Sequence, residues 1–198
     1  LHERLPKTTP FHPHANELIG LARSEGERES SFRVFDELYT RVPEVHLLSN
    51  GRYNVMITNS GGGYSNWKAL SISRWRADMT RDNSGTFIFI KDVTTGAVWS
   101  SAYQPVMNMP DNYEAIFSMG KAEFRRRDDD IYTHTQIAVS PEDDMELRRV
   151  NITNNSREKK IIELTSYFEV VLAPNAADAV HPAFSKLFVQ TEIVRAKQ

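Results

Sequence analysis

The sequence predicts an all-β fold, a large antiparallel two-sheet sandwich, on three observations. From Pro43 onward, short β-rich runs alternate with turn residues. Asn50-Gly51 and Val93-Thr94-Thr95-Gly96 lie between apolar runs as hairpin turns. The runs Ile131 to Val139 and Lys159 to Leu172 alternate in character over lengths that suit broad, twisted strands.

Taken in order, residues 1–42 read as an arm or linker and 43–198 as the sandwich. Pro6, Pro10 and Pro13 keep the first 14 residues out of regular helix or central strand. His12 and His14 flank a proline with no carboxylate cluster nearby, so no metal site is expected there. Leu18, Ile19, Leu21 and Ala22 have a loosely helical spacing that Gly26 ends, giving a short surface helix or linker. Val45 to Leu48 and Arg52 to Thr58 make the first hairpin, and Thr86 to Asp92 and Ala97 to Ser100 the second. Tyr113 to Ser118 and Lys121 to Arg126 flank Met119-Gly120, and His134 falls within a strand. Ser140 to Asp144 is a charged turn, and Met145 to Asn154 is a further strand. Lys159 to Leu172 reads as one long strand, Ala173 to Phe184 as a loop of small residues, and Lys186 to Val194 as a last strand.

At 198 residues the chain fits one domain with a substantial core. Its 24 basic and 26 acidic residues leave a formal charge of −2, which gives no field to attract nucleic acid or an anionic membrane. With no cysteine, disulfide frameworks and thiolate metal sites are excluded, and a reducing compartment fits. No apolar run approaches the roughly 20 residues of a membrane span. The chain starts at Leu1 and stops after a strand-like run, so it reads as an excised piece whose catalytic groups are expected in a neighbouring domain.

The stretch richest in chemistry is Asn59-Ser60-Gly61-Gly62-Gly63-Tyr64-Ser65-Asn66-Trp67, three glycines and two aromatic rings between strand-like runs. Glycine lets backbone approach a ligand closely, while Tyr64 and Trp67 offer flat faces with polar tips and the Asn and Ser side chains offer donors and acceptors. That combination suits a sugar ring; the plainer reading is a flexible hairpin tip. In the polar segment 73–85, Arg74 and Arg76 point the same way on an extended strand. They form either a fork for hydroxyls or phosphate, steadied by Asp78 or Asp82, or a salt-bridged loop. Arg125-Arg126-Arg127 next to Asp128-Asp129-Asp130 predicts mutual ion pairs at a strand end rather than a nucleic-acid patch. Asp143 with Asp144, or Glu163 with Glu169, would serve glycosidase chemistry only if held about 5–10 Å apart. No Walker loop, dinucleotide fingerprint, zinc spacing or nucleophile elbow is present.

Thr58 to Ser65, Thr80-Arg81-Asp82-Asn83 and Ala177 to Phe188 resemble the sandwich domain of glycoside phosphorylases once classed as glycosyltransferase family thirty-six, which includes cellobiose and chitobiose phosphorylases. The wording is most similar to the related domain of bacterial cyclic β-1,2-glucan synthases. The resemblance spans roughly residues 43–194 and implies a galactose-mutarotase-like supersandwich. It also implies a helical (α/α)₆ barrel elsewhere in the polypeptide that carries the catalytic aspartate, with inorganic phosphate as co-substrate of the full enzyme and no cofactor. On that likeness the present chain has no catalytic residue of its own. It is a noncatalytic, carbohydrate-facing domain with an oligosaccharide or glucan and the helical domain as partners, and a dimer surface. The implied location is the cytoplasm, with the parent enzyme anchored in the inner membrane and no membrane contact by this fragment. The family's glycine-tyrosine-serine loop maps onto Gly61, Gly62, Gly63, Tyr64 and Ser65. Asn59, Trp67, Arg74, Arg76, Arg81 and Asp82 complete the expected substrate-binding set. Two alternatives stand beside this reading: a structural scaffold within a larger assembly, and a small mutarotase-type enzyme using His134 or His181 with Glu163.

Overall fold

In the computed structural model, which describes residues 32–76, 78 and 81–193, thirteen strands and two short helices are arranged in three sheets. The histidine-proline arm and the short helix expected over its apolar spacing lie outside the described residues. Among the described residues no helix is long and apolar enough to cross a membrane.

One five-stranded sheet is built on the longest strands, β8 (Asn112–Ser118), β9 (Lys121–Asp128), β10 (Ile131–Val139) and β11 (Glu146–Asn154), the first three joined by two-residue turns and the last by the charged loop 140–145. Its fifth strand, β1 (Arg33–Phe35), pairs antiparallel with β8, so residues read as arm contribute to the sheet. A second five-stranded sheet runs in the order β13 (Val170–Pro174), β5 (Leu70–Ser73), β4 (Gly63–Trp67), β3 (Tyr53–Thr58), β2 (Val45–Ser49). The β2–β3 turn is the predicted Asn50-Gly51, with Gly51 at φ 88°. A third sheet has the order β12 (Ile162–Tyr167), β6 (Phe87–Asp92), β7 (Val98–Ser100). The predicted hairpin at 93–96 joins β6 to β7.

Period-two alternation puts Tyr113, Ala115 and Phe117 of β8 opposite Arg126, Phe124 and Ala122 of β9 on one face. That face meets Leu48, Tyr53, Val55 and Ile57 from the other large sheet, and together they form the main core. Burying a side chain of this size contributes about 1.5–3 kcal/mol, so this interface dominates stability. A smaller cluster of Ile90, Trp99 and Ile131 lies under the third sheet, with Ile152 and Ile162 packed against it.

The structure corrects three sequence expectations near the end of the chain. The run 159–172 is two strands, not one, because β12 pairs with β6 while β13 pairs with β5 in a different sheet. The chain changes sheets at Phe168 and Glu169, and a register shift follows with Leu172 at φ 54°. Alternation in sequence cannot show which sheet a strand joins. The expected loop at 173–184 instead contains α1 (Asn175–Val180) and most of α2 (Pro182–Lys186), favoured by alanines and by proline at a first helical position. The last expected strand does not form over 187–193, where the residues are mostly exposed.

The Arg125–Asp130 block is only partly self-paired. Arg126 holds Asp128 through two 2.7 Å hydrogen bonds, while Arg127 faces Asp111 at 3.6 Å and Arg125 faces Glu114 and Glu123 at 3.8 Å. Residues outside the block supply the other partners: Glu114 and Asp111 from across the β8–β9 pair, and Glu123 two positions back on β9.

Candidate functional site

The glycine-rich stretch is a buried turn feeding a strand. Gly61 N–H donates to the Thr58 carbonyl at 3.0 Å, and Thr58 N–H donates to the Gly62 carbonyl at 2.9 Å, which closes the turn before β4 begins at Gly63. The structure therefore gives the three glycines an internal reason. A Cβ at Gly61, at φ 96°, would collide with the Ala102 side chain, one at Gly62 with the Asp82 carboxylate, and one at Gly63, at φ 146°, with the Met56 carbonyl. The space that sequence reasoning assigned to a ligand is filled by protein on all three counts.

Two loops wall this turn. One is the segment around Asp82, whose carboxylate accepts hydrogen bonds from the Thr58 hydroxyl at 2.5 Å and from the Ser60 hydroxyl. Burial pushes the Asp82 carboxyl above its ordinary value, and these two hydroxyls offset only part of that. The expected role of Asp82, steadying an arginine, is thus replaced by bracing the glycine turn. Farther along, Gly63 N–H donates to the Ser84 carbonyl at 2.7 Å. The other wall is the 101–108 loop, where Gln104 N–H donates to the Ser60 carbonyl at 2.8 Å. The fully buried Arg126 guanidinium pins that loop through the Ala102 carbonyl at 2.8 Å and the Asn108 carbonyl at 3.0 Å.

The remaining predicted residues divide between interior and surface. Asn59 is 1% exposed, and its side chain accepts from Glu44 N–H and donates to the Glu37 carbonyl, tying segment 37–44 to the sheet. Ser65 is buried and donates to Glu146 at 2.7 Å. Tyr64 and Trp67 do not form a joint platform, because three positions along a strand put them on opposite faces. Trp67 packs against the main core and donates its indole N–H to Asp144 at 2.6 Å. That bond, with the Arg52 guanidinium, holds the Asp144 carboxyl below its ordinary value. Tyr64 stays half-buried on the other face, edge-on to Trp75 with ring centroids 5.5 Å apart.

Arg74 and Arg76 do converge, but on a carboxylate that sequence reasoning did not link to them. Arg74 takes Asp178 of α1 through two hydrogen bonds of 2.7 and 3.1 Å and Glu169 at 2.7 Å, while Arg76 reaches Asp178 at 3.0 Å. Asp178 is 2% exposed, so this is a buried clamp that fastens α1 to the second sheet. No periodicity connects position 74 with 178; only the pairing of β13 with β5 brings them together. Arg81 is exposed, and its N–H donates to the Asp78 carbonyl at 3.1 Å.

The solvent-facing remainder comprises Tyr64, half-buried and edge-on to Trp75, and Arg81 and Asn83 on the segment that Asp82 and Ser84 tie to the turn, while the half-exposed Arg76 stays engaged with Asp178. It carries ring faces, guanidinium donors and an amide, which suits hydroxyl-rich ligands. His134 meets Glu123 at 3.1 Å, not Glu163, which lies on β12 opposite Lys91. Although burial acts to raise the Glu123 carboxyl, His134 and Lys121 hold it down to about 2. Among the described residues no three His, Asp or Glu side chains gather as ligands for a metal ion.

The profile described as glycosyl hydrolase 94, supersandwich domain, matches residues 28–198. The cyclic beta-(1,2)-glucan synthase NdvB of Rhizobium meliloti is 38% identical over 196 residues, which is 98% of this chain and 7% of that protein. An N,N'-diacetylchitobiose phosphorylase of Vibrio furnissii is 26% identical over 155 residues, 76% of this chain and 19% of the phosphorylase. A solabiose phosphorylase of Paenibacillus borealis is 27% identical over 152 residues, 74% of this chain and 20% of its own length. The chain thus spans well under two thirds of each of these curated relatives. With nearly its whole length matched and the antiparallel sandwich in place, the chain belongs to glycosyl hydrolase family 94, as its supersandwich domain.

Proposed function

We propose that this chain is the noncatalytic, glycan-facing domain of a phosphorylase-like or cyclic β-1,2-glucan synthase enzyme, helping to shape the substrate site of a helical catalytic barrel elsewhere in the polypeptide. The names of the relatives support a β-linked glucan or disaccharide as the ligand, with inorganic phosphate as co-substrate of the whole enzyme. The parent enzyme would work on the cytoplasmic side of the inner membrane. The observation that carries the proposal is the half-buried edge-on Tyr64–Trp75 pair with exposed Arg81 next in the chain to Asp82, whose carboxylate braces the closely packed glycine turn.

The test is a titration of the domain with sophorose or a β-1,2-glucan by NMR. Shifts at Tyr64, Trp75 and Arg81 are expected at millimolar concentration, since the isolated domain supplies only part of a site. In the full enzyme, Tyr64→Ala is expected to raise KM by about two- to tenfold, the loss of one aromatic contact of about 0.5–1.5 kcal/mol. A scaffold role is the second reading, favoured by the protein-filled space around Gly61, Gly62 and Gly63. Under that reading neither the titration nor KM responds, and Tyr64→Ala weakens assembly instead.

A further inference from the structure

The β6–β7 hairpin, the loop before β8 and the β9–β10 turn enclose a cleft of about 490 Å³ that the proposed function does not use. Its walls are pinned. The Arg126 guanidinium donates to the Asn108 carbonyl at 3.0 Å, and the Asn108 side-chain amide donates to the Val98 carbonyl, which fixes the loop carrying Met109 against β7. Asp129 and Asp130 form the two-residue turn between β9 and β10, so their place is set by the register of those strands.

The cleft is acidic, and its carboxylates differ in what they have left to offer. Asp128 is taken by Arg126 through two 2.7 Å hydrogen bonds, and Asp92 accepts from Thr94 N–H at 2.8 Å and from the Lys160 ammonium at 3.4 Å. Asp129 and Asp130 are exposed, and neither carboxylate enters an ion pair among the described residues. Acids on a turn are common at a solvated surface; Trp99 is what sets this cleft apart. Its side chain is 5% exposed, packs with Ile90 and Ile131 and lines the same cleft, yet its indole N–H has no acceptor among the described residues. A buried donor without an acceptor is rare in a folded protein, because it has lost its water and gained no partner.

The donors and acceptors select the ligand. An anion would meet the indole N–H but be repelled by Asp129 and Asp130, and a simple cation would satisfy the carboxylates but leave the N–H unmet. A hydroxyl does both, giving its proton to a carboxylate while its oxygen accepts from the indole. We infer that the cleft between Trp99 and the Asp129-Asp130 turn is a second saccharide-binding site, in which one sugar hydroxyl accepts from the Trp99 indole and others donate to Asp129 and Asp130. Its volume lies within the roughly 300–1,000 Å³ of small-molecule pockets. The cleft shares no residue with the Tyr64–Trp75 corner, and it rests on the proposed function only for the choice of a β-linked glucose disaccharide as probe.

Met109, 76% exposed, lines the cleft, and Met119, 96% exposed, does not. Oxidation of each to the sulfoxide by hydrogen peroxide, read by peptide mass spectrometry in the full-length enzyme without phosphate, reports what covers it. Saturating sophorose is expected to slow oxidation at Met109 by about twofold or more and to leave Met119 unchanged, since a pocketed ligand covers its lining. Trp99→Phe, which keeps a ring and deletes the N–H, should raise the sophorose concentration for half protection by about three- to tenfold, the worth of one hydrogen bond. Asp130→Asn, on an exposed turn where no core packing is lost, should raise it as well. The inference is overturned if sophorose leaves Met109 oxidation unchanged, if Met109 and Met119 slow alike, if both variants are protected at the parent's concentration, or if spermidine protects Met109 and sophorose does not. Tyr64→Ala should leave the protection of Met109 intact, so a failure at this cleft and a failure at the Tyr64–Trp75 corner are separate results.

Discussion

The two five-stranded sheets and the stretch from Ile161 to Ile193 use the same apolar alphabet to opposite ends. In the first region Phe117, Phe124, Val55 and Ile57 face one another across a closed interface at 2% exposure or less. In the second, Leu164, Tyr167, Phe184 and Phe188 are 42% exposed or more. What differs is the presence of an opposing layer, not the residue types. An apolar side chain contributes to stability only where another element removes it from water.

Substitutions that break this contrast should have graded effects on the denaturant midpoint of the domain. Phe117→Ala in the closed interface should cost about 3–5 kcal/mol, since the cavity cannot collapse between two sheets. Asp178→Ala should cost about 3–5 kcal/mol by leaving the largely buried Arg74 without its main partner. It should also release α1 and α2, read as faster amide exchange over 175–186 with the main sheets unchanged. A Gly62→Ala change forces the turn against Asp82 and should cost about 1–3 kcal/mol. Gly51→Ala, where a Cβ meets nothing within 4 Å, should cost only the strain of its φ of 88°, about 1 kcal/mol.

Asp82 sharpens the comparison through pH. Its carboxyl is raised by burial, so the folded state holds that proton more tightly than the unfolded chain does. The stability it contributes is fully present below the unfolded value of 3.8 and is lost as pH rises through the higher folded value. Asp82→Asn should therefore gain stability relative to the parent over that window and show no further relative gain above it, as read by denaturation at a series of pH values. The smallest effect belongs to the open region: Leu164→Asn should change the stability of the isolated domain by about 0.5 kcal/mol or less, because the side chain has little burial to lose.

How far the sequence carried this picture depended on whether the signal was local. The Asn50-Gly51 and Thr94–Gly96 turns fix hairpins within a few residues, and both are present. The family signal in Thr58–Ser65 and Ala177–Phe188 is also local, and the supersandwich assignment follows from it. Long-range partners were not legible. Nothing near Arg74 points to Asp178, and the alternation of 159–172 is indifferent to a change of sheet at Phe168. The glycine run was read as open to a ligand because composition tells that a side chain is excluded, not what excludes it. Ala102, Asp82 and the Met56 carbonyl supply that answer from distant positions.

The walls around Gly61, Gly62 and Gly63 also limit how this protein can vary over time. With each missing methyl already spoken for by a neighbour, the backbone path there is frozen for every descendant that keeps those neighbours. Any drift at this corner of the domain must then be written in its more open neighbours Tyr64, Trp75, Arg81 and Asn83, a handful of letters on an unchanging line.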